Sequence, residues 1–511
     1  MPALGGEGHA RKITSFGYYP RWSPDGSRIL FRSHLSVLAT TNRFFIVDMA
    51  GGEPRDVLAD LLTRNHLSSD AAAWHPDGKR LSVMANDDEG RIGVWTVSLS
   101  DGKAVQSQIL PEVAQRFAEA ASPNAVEFTS AAKLSWSHSG NALYFDRIYR
   151  GARNLWKMSI DPTSLAAVSA ERLTTGPGPD SQPAVSPDGK TLAFTTQNRH
   201  IRAWLFPFDP ASGKLTGPGK AVTSPGMDAW LPNISRDGKK LAYSAAFGDR
   251  LELWQKLLPD GPEVQLSGTS SFNAFAIWSP DATRLVYRGI SPTDRKARLV
   301  VWSSITREEQ LFGPIVEGLD LEPYDWAADG RSVLASIGNP QTHSVDIWKI
   351  PVATPNPEPP PNLDERKIIS SPDNALFQGH ISPDGRWIVF IACKNGKSFE
   401  CTLFVAPSNG GTWTNLSEGH FLDDKPRWSP DGKMIYYISG RAGVYNVRAV
   451  RFDSVKGRKI GESFPVTSFT SPGPIISNNI TAVELTLTHT SLVINLEESP
   501  GNIWTLDHID H

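Results

Sequence analysis

Three shortages narrow the reading before any pattern is sought. No stretch approaches the roughly 18 consecutive apolar residues that a membrane helix requires, so membrane insertion is excluded as an expectation. The opening "MPALGGEGHARKIT" has no apolar core of the length a secretory signal needs. The chain is therefore expected in the cytoplasm, or in the periplasm if it is a piece attached to an upstream membrane domain. A surplus of positive charge is missing too. With 51 basic against 54 acidic residues the formal net charge is -3, which gives no footprint for a nucleic-acid backbone and removes that partner class. Cysteine is scarcest: only Cys393 and Cys401 occur, flanking "KNGKSFE" between two strand-like runs. Two readings stand, a pair of buried free thiols, or a cross-strand disulfide that implies an oxidising compartment.

Glycine, proline and tryptophan, by contrast, are plentiful and ordered. A turn sequence returns nine times: "WSPDG" at Trp22, "WHPDG" at Trp74, "WSHSG" at Trp136, "VSPDG" at Val185, "ISRDG" at Ile234, "WSPDA" at Trp278, "WAADG" at Trp326, "ISPDG" at Ile381 and "WSPDG" at Trp428. Pro presets the first turn dihedral, Asp bonds its own downstream backbone, and Gly takes the left-handed conformation at the exit of a hairpin loop. Each turn joins a strand A, ending in the Trp or its substitute, to a short apolar strand B such as "RILF" or "MIYY". About twenty residues beyond each turn a strand C carries an aromatic: Phe45, Trp95, Trp156, Trp204, Trp254, Trp302, Trp348, Phe404 and Tyr445. A shorter strand D follows, clearest in "ERLTT", "KAVTS", "EVQLS", "RKIIS", "WTNLS" and "FPVTS". A tenth, eroded copy is read in "VELTLTHTSLVINL" (483–496) followed by "GNIWTL", with Trp504 as its C aromatic.

Four strands per unit at an average of about 51 residues describe an all-β protein, a β-propeller of about ten four-stranded blades. The tenth copy ends without a D strand, while "KITSF" at 12–16 parallels "PVTSF" at 465–469. The N-terminal strand is thus expected to close the last blade, so that no sheet edge stays exposed. One ring over residues 1–511 fits this single closure signal; two smaller propellers are the alternative. The repeat region runs from 12 to 506, with inserted loops at 103–133 and 351–367, the latter Pro-rich and stiff.

The core "P-x-W-S-P-D-G-x-x-I-x-F" resembles the TolB-type WD40-like repeats, over nearly the whole chain. The resemblance implies a fold. In that superfamily such propellers bind proteins in TolB, gate substrate in prolyl oligopeptidase-type enzymes, and form sensor-like domains of bacterial kinases and regulators. This sequence has neither the small α/β domain that precedes the TolB propeller nor a peptidase domain, and its closing "GNIWTLDHIDH" is similar to the tail of regulator-attached propellers.

Catalytic signatures are missing from the sequence. A nucleophile elbow needs Gly-x-Ser-x-Gly, and the nearest matches end in Leu334, Glu400 and Pro465. Neither a phosphate-cradling Gly-x-x-x-x-Gly-Lys nor a His-Glu-x-x-His occurs. His75 and His138 read as surface turn residues, the repeated turn Asp as structural, and neither metal nor cofactor is expected.

What varies while its neighbours repeat is the start of strand A. One place before the Trp position, and four places before it, the residues change chemically from copy to copy. Tyr18, Arg21, Trp230, Asp325, His380, Asp424 and Arg427 are accordingly candidate ligand-binding residues at a channel mouth, a mixture of aromatics and both charge signs that suits peptide or protein recognition. Each of them also has a plain structural reading as a blade-to-blade hydrogen-bond partner. The expected function is a monomeric, non-enzymatic propeller that binds a protein or peptide or senses a ligand, as a module of a larger bacterial regulatory or envelope system. The alternative is a lyase or glycosidase acting at the channel mouth, for which His380, Arg427 and Asp424 are the nominated cluster.

Overall fold

A computed structural model describes residues 13–14, 17–32, 43–65, 67–86, 92–109, 133–149, 152–176, 179–197, 199–247, 250–266, 270, 272–317, 321–339, 344–352, 367–394, 401–417, 422–441, 444–470 and 473–509. Most of both expected loop insertions, 110–132 and 353–366, therefore lies outside the described residues. Nearly every regular element is a strand, and no helix among the described residues is long and apolar enough to cross a membrane. The protein is a β-propeller structure of successive antiparallel sheets, and the chain divides into two compact units, Met1–Arg199 with Ser499–His511, and His200–Glu498.

The turn chemistry explains why one hairpin recurs. In "WSPDG" at Trp428, Ser429 Oγ donates to Asp431 Oδ1 at 2.6 Å, Asp431 Oδ1 accepts the Lys433 N–H at 3.1 Å, and Ser429 Oγ accepts the Met434 N–H at 2.9 Å. The same three bonds hold the turns at Ser235, Ser279 and Ser382. Gly432 sits at φ 70°, where a side chain is strained; in "WSPDA" Ala282 accepts φ 55° in the same place. Each turn Asp thus has a local bonding task, and its Ser partner and the backbone donors hold carboxyls such as that of Asp237 below the ordinary range.

In the first unit the sheets follow chain order, with A strands Tyr18–Trp22, Ser68–Trp74, Leu134–Trp136 and Asp180–Val185. Neighbouring sheets share apolar cores: Leu30 and Ile46 pack with Leu81, Val83 and Trp95, and Tyr144 and Leu155 with Leu192 and Phe194. The second unit has A strands Trp230–Ile234, Phe272–Trp278, Leu321–Trp326, Asn374–Ile381, Asp423–Trp428 and Leu485–Leu487. Each packs against the next, and the last returns to the first. One parallel bridge, Leu251 to Phe272, links the first two of these sheets. Side chains such as Tyr243, Tyr287 and Phe390 are fully buried between sheets, each worth about 1.5–3 kcal/mol of apolar burial.

Closure differs from the sequence expectation. Of the residues expected to close the last blade, Ile13 and Thr14 lie outside any strand, and residues 12, 15 and 16 lie outside the described residues. The two C strands that belong to the fourth and tenth copies are instead exchanged. Strand His200–Asp209 pairs with Ser491–Glu498, Trp204 opposite Ile494, and carries Lys220–Ala221 on its other edge. Strand Gly501–Asp507 pairs with Thr191–Gln197, Trp504 opposite Phe194. The second unit is therefore tied by a sheet built from both ends of its segment and its A strands close on themselves, while in the first unit the C-terminal strand Gly501–Asp507 joins the sheet of Asp180–Val185 and Thr191–Gln197. The physical reason is that strands B and C are interchangeable between copies, so local pattern does not fix which B pairs with which C, whereas removing exposed edges does.

Cys393 and Cys401 face each other across the strands Trp387–Lys394 and Cys401–Pro407 and form a disulfide. Of the two readings of the cysteines, the structure takes the cross-strand one.

Candidate functional site

A β-bulge in the A strands positions the variable residues. Pairing with strand B slips between Tyr18 and Arg21, Ser181 and Ala184, Trp230 and Asn233, Ala274 and Ile277, Phe377 and His380, and Asp424 and Arg427. Inside each slip one non-glycine residue holds a left-handed φ: Tyr19, Gln182, Leu231, Phe275, Gln378 and Lys425, between 51° and 61°. Such a conformation costs about 1–2 kcal/mol for an L-residue, and its use at the same place in six strands marks it as a device that re-aims side chains.

Two bonds recur from sheet to sheet at the end of strand A. The indole N–H of the Trp donates to the carbonyl one place before the Trp position in the preceding sheet: Trp74 to Arg21 at 3.2 Å, Trp326 to Ile277 at 3.1 Å and Trp428 to His380 at 2.9 Å. A side chain in that preceding place also accepts the next sheet's backbone N–H, Asn233 from Trp278 at 3.0 Å and Asp325 from Ile381 at 2.9 Å. The structural reading of these positions is real for Asp325, which joins two sheets.

The second unit brings four of the candidates into one group. Arg427 Nη1 donates to His380 Nε2, to the Pro426 carbonyl at 2.7 Å and to Gln378 Oε1 at 3.3 Å, while Nη2 pairs with Glu484 Oε1 at 2.5 Å. A guanidinium only donates, so Nε2 accepts and the imidazole proton resides on Nδ1, which faces Asp325 Oδ2 at 3.9 Å. Burial, reinforced by the charges of Arg427 and Lys425, holds the His380 pKa well below its ordinary value, so the ring is neutral. Asp325 goes the other way: burial pushes its carboxyl up to about 6 against the Ile381 N–H and the more distant Arg236 and Arg427. Protein surrounds the carboxylate, yet a quarter of its side chain is open to solvent. The Tyr324 ring lies tilted 6.2 Å from the His380 ring, and its hydroxyl donates to Glu322, which pairs with Arg288 at 3.5 Å. Burial and the carboxylates of Glu322, Asp424 and Glu484 hold the Tyr324 hydroxyl protonated.

The nominated trio is changed in one member. Asp424 is not the ionic partner of Arg427; its Oδ1 accepts the N–H of Lys425, and Glu484 completes the group. Trp230 does not join it, packing instead with Leu231, Leu251 and Phe272. Arg21 lies in the first unit, as does strand Tyr18–Trp22 on which Tyr18 sits. Gln378, Lys425 and Glu484 were missed. All three occupy the third place before the Trp position of their copies, which is bulged in strands Asn374–Ile381 and Asp423–Trp428, and a polar side chain at one repeated offset was the available signal. Chemically, His380 is hydrogen-bonded to Arg427 and faces Asp325, and among the described residues no three His, Cys, Asp or Glu are placed to hold a metal.

No family model matches the chain. A dipeptidyl-peptidase 5 of Porphyromonas endodontalis is 24% identical over 289 residues, 52% of this chain and 38% of that protein. The chain thus spans well under half the length of that curated relative. Among solved structures, a putative TolB from Agrobacterium tumefaciens superposes with TM-score 0.41 at 17% identity, covering 53% of this chain and 89% of that one. TolB from Acinetobacter baumannii gives 0.39 at 14%, covering 73% and 80%.

Proposed function

We propose that the chain is a binding protein whose second unit recognises a cationic group, a Lys or Arg side chain or a free amino terminus, on a peptide or protein partner. It serves as a module of a larger bacterial regulatory or envelope system. The carrying observation is Asp325. It is an accessible carboxylate raised to about 6, which means that the surrounding donors undercompensate its charge. A ligand cation supplies what is missing. Of the nearest groups, Arg427 is paired with Glu484 and His380 is neutral, while Arg236 acts on the carboxylate from further away.

Titration calorimetry with short peptides tests this reading. Lysine- and arginine-containing peptides are expected to bind, norleucine-substituted and acetylated versions to bind about tenfold more weakly or worse, and Asp325→Asn to abolish the difference. Equal binding of charged and neutral peptides overturns it. A second reading, an enzyme, is favoured by the meeting of His380, Arg427 and Glu484 and by the relative named as a peptidase. Turnover of dipeptidyl nitroanilides or of oligogalacturonate by the intact chain, lost in His380→Asn, establishes that reading instead.

A further inference from the structure

We propose that strand Gly501–Asp507 of the first unit is a docking edge for an extended segment of a partner protein, one that carries a polar residue, an aliphatic residue and a Ser or Thr in succession. Among the described residues its sheet has three strands, in the order Asp180–Val185, Thr191–Gln197, Gly501–Asp507. The sheet therefore stops at strand C, where others continue into a strand D. Exposure agrees with this. Ile503 is 81% and Trp504 55% exposed, whereas Trp95, Trp156, Trp302 and Trp348, in the place of Trp504 in other C strands, are at most 9% exposed.

The chain's own sheets show what covers such an edge. In three of them Arg172, Ala221 and Asn415 lie opposite the C aromatics Trp156, Trp204 and Phe404. The next D residue, Leu173, Val222 or Leu416, donates its N–H to the carbonyl one place before the aromatic, Leu155 at 2.8 Å, Ala203 at 2.8 Å and Leu403 at 2.9 Å. The residue after it is Thr174, Thr223 or Ser417, whose hydroxyl accepts the N–H of that same C residue at 3.0, 3.1 and 3.1 Å. Strand Gly501–Asp507 keeps this register. Trp504 lies opposite Phe194 and Ile503 opposite Thr195, as Trp156 and Leu155 lie opposite Phe145 and Asp146. The alternation of an antiparallel ladder therefore turns the N–H and carbonyl of Ile503 away from the sheet. A polar, aliphatic, hydroxyl triplet answers both groups: the aliphatic residue donates its N–H to the Ile503 carbonyl and lays its side chain over Ile503, and the hydroxyl accepts the Ile503 N–H. "KIT" at 12–14 has the same pattern within this chain, but Ile13 and Thr14 lie outside any strand and Ile503 stays exposed. The occupant is accordingly assigned to another protein.

Fluorescence anisotropy on the intact chain, with a labelled peptide that copies the D segment "AVSAERLTT" of residues 167–175, tests the proposal. The peptide is expected to bind saturably. Methylating the amide nitrogen of its Leu, or replacing the Thr that follows by Val, is expected to weaken binding about tenfold or more, since each removes one bond to Ile503. Ile503→Pro is expected to weaken it as much, because proline removes the outward N–H without touching a bond inside the sheet. The two altered peptides keep the test decisive even if that variant disturbs folding. Absence of binding, or equal binding of the parent and both altered peptides, overturns the proposal. So does binding that emerges only after residues 1–16 are deleted, which identifies the chain's own N-terminal segment as the occupant. Self-association in sedimentation that Ile503→Pro abolishes overturns it in favour of a second copy.

Discussion

Replacing Asp325 by Asn is expected to make the second unit more stable at neutral pH, an unusual outcome for a change inside a hydrogen-bonded cluster. Asn keeps the volume and an oxygen that accepts the Ile381 N–H now held at 2.9 Å. What it removes is a charge that burial disfavours. A carboxyl that moves from its ordinary 3.8 to about 6 on folding weakens the folded state by about 3 kcal/mol once both states are ionised, and roughly 2 kcal/mol is the expectation after allowing for its partial exposure. The sign follows from proton binding. Below pH 3.8 the group is protonated in both states and contributes nothing. Between 3.8 and about 6 the native state binds the extra proton, so stability falls as pH rises, and above about 6 the full penalty is present. The gain from Asp325→Asn is therefore largest above pH 7, shrinks as pH falls through 6, and vanishes near 4. Urea unfolding of the full chain at pH 7.5, 6 and 4, with hydrogen exchange of residues 374–381 assigning the transition, measures it. A variant less stable than the parent at pH 7.5, or a gain that persists unchanged at pH 4, refutes the claim that Asp325 is held in an undercompensated site. The same variant tests function, because a carboxylate kept at a cost to stability and lost without structural harm should show its role in binding.

The pair Arg427 and Glu484 behaves oppositely. Arg427→Met or Glu484→Leu alone leaves a buried, uncompensated partner and is expected to cost about 3–5 kcal/mol, while the double variant recovers most of it; an additive double-mutant cycle in thermal unfolding speaks against the pairing. His380, neutral when folded, must be charged in the acid-unfolded chain, so its contribution is lost as pH falls below about 6.5; Asp325 offsets this between pH 4 and 6, and in Asp325→Asn the urea midpoint should drop steeply over that interval. Reducing the disulfide between Cys393 and Cys401, which lie 8 positions apart, opens a short loop and is expected to lower stability by about 2–3 kcal/mol, read as a shift of the unfolding midpoint on adding reductant.

The hairpin was legible because its chemistry is local. Ser, Pro, Asp and Gly at fixed offsets each have a bond or a dihedral to satisfy within six residues, and the bonds of Ser429 and Asp431 are those the spacing implies. Which strand closes which sheet was not legible, since "RAWLFPF" at 202–208 and "NIWTL" at 502–506 present the same aromatic-centred pattern and either fits either partner. The variable places of strand A were legible as variable, and four of the seven named residues fall in one unit's charged and aromatic network. Their partners were not, because the bulge moves pairing by a residue at a point that no turn signal marks. Glu484 shows this best: it lies in the eroded copy, three places before Leu487 and just outside strand Leu485–Leu487, where no turn motif of the repeat marks its register.

The division of labour along strand A explains how one repeat can present different side chains in the two units. The Trp position is fixed by burial and, at Trp74, Trp326 and Trp428, by a bond to the preceding sheet, the next four residues are fixed by the turn, and strand B is fixed by the core. Freedom remains one and three places before the Trp position, on either side of the bulge, where a side chain meets neighbouring A strands instead of the apolar layers. In the first unit these places collect Tyr19, Arg21 and Lys133 around one cavity; in the second they collect Asp325, Gln378, His380, Lys425, Arg427 and Glu484, whose charges largely answer one another. A substitution there alters binding with little effect on packing, whereas the same substitution at the Trp position breaks an inter-sheet bond. The residues that differ chemically between the two units are therefore the few the repeat leaves unspecified.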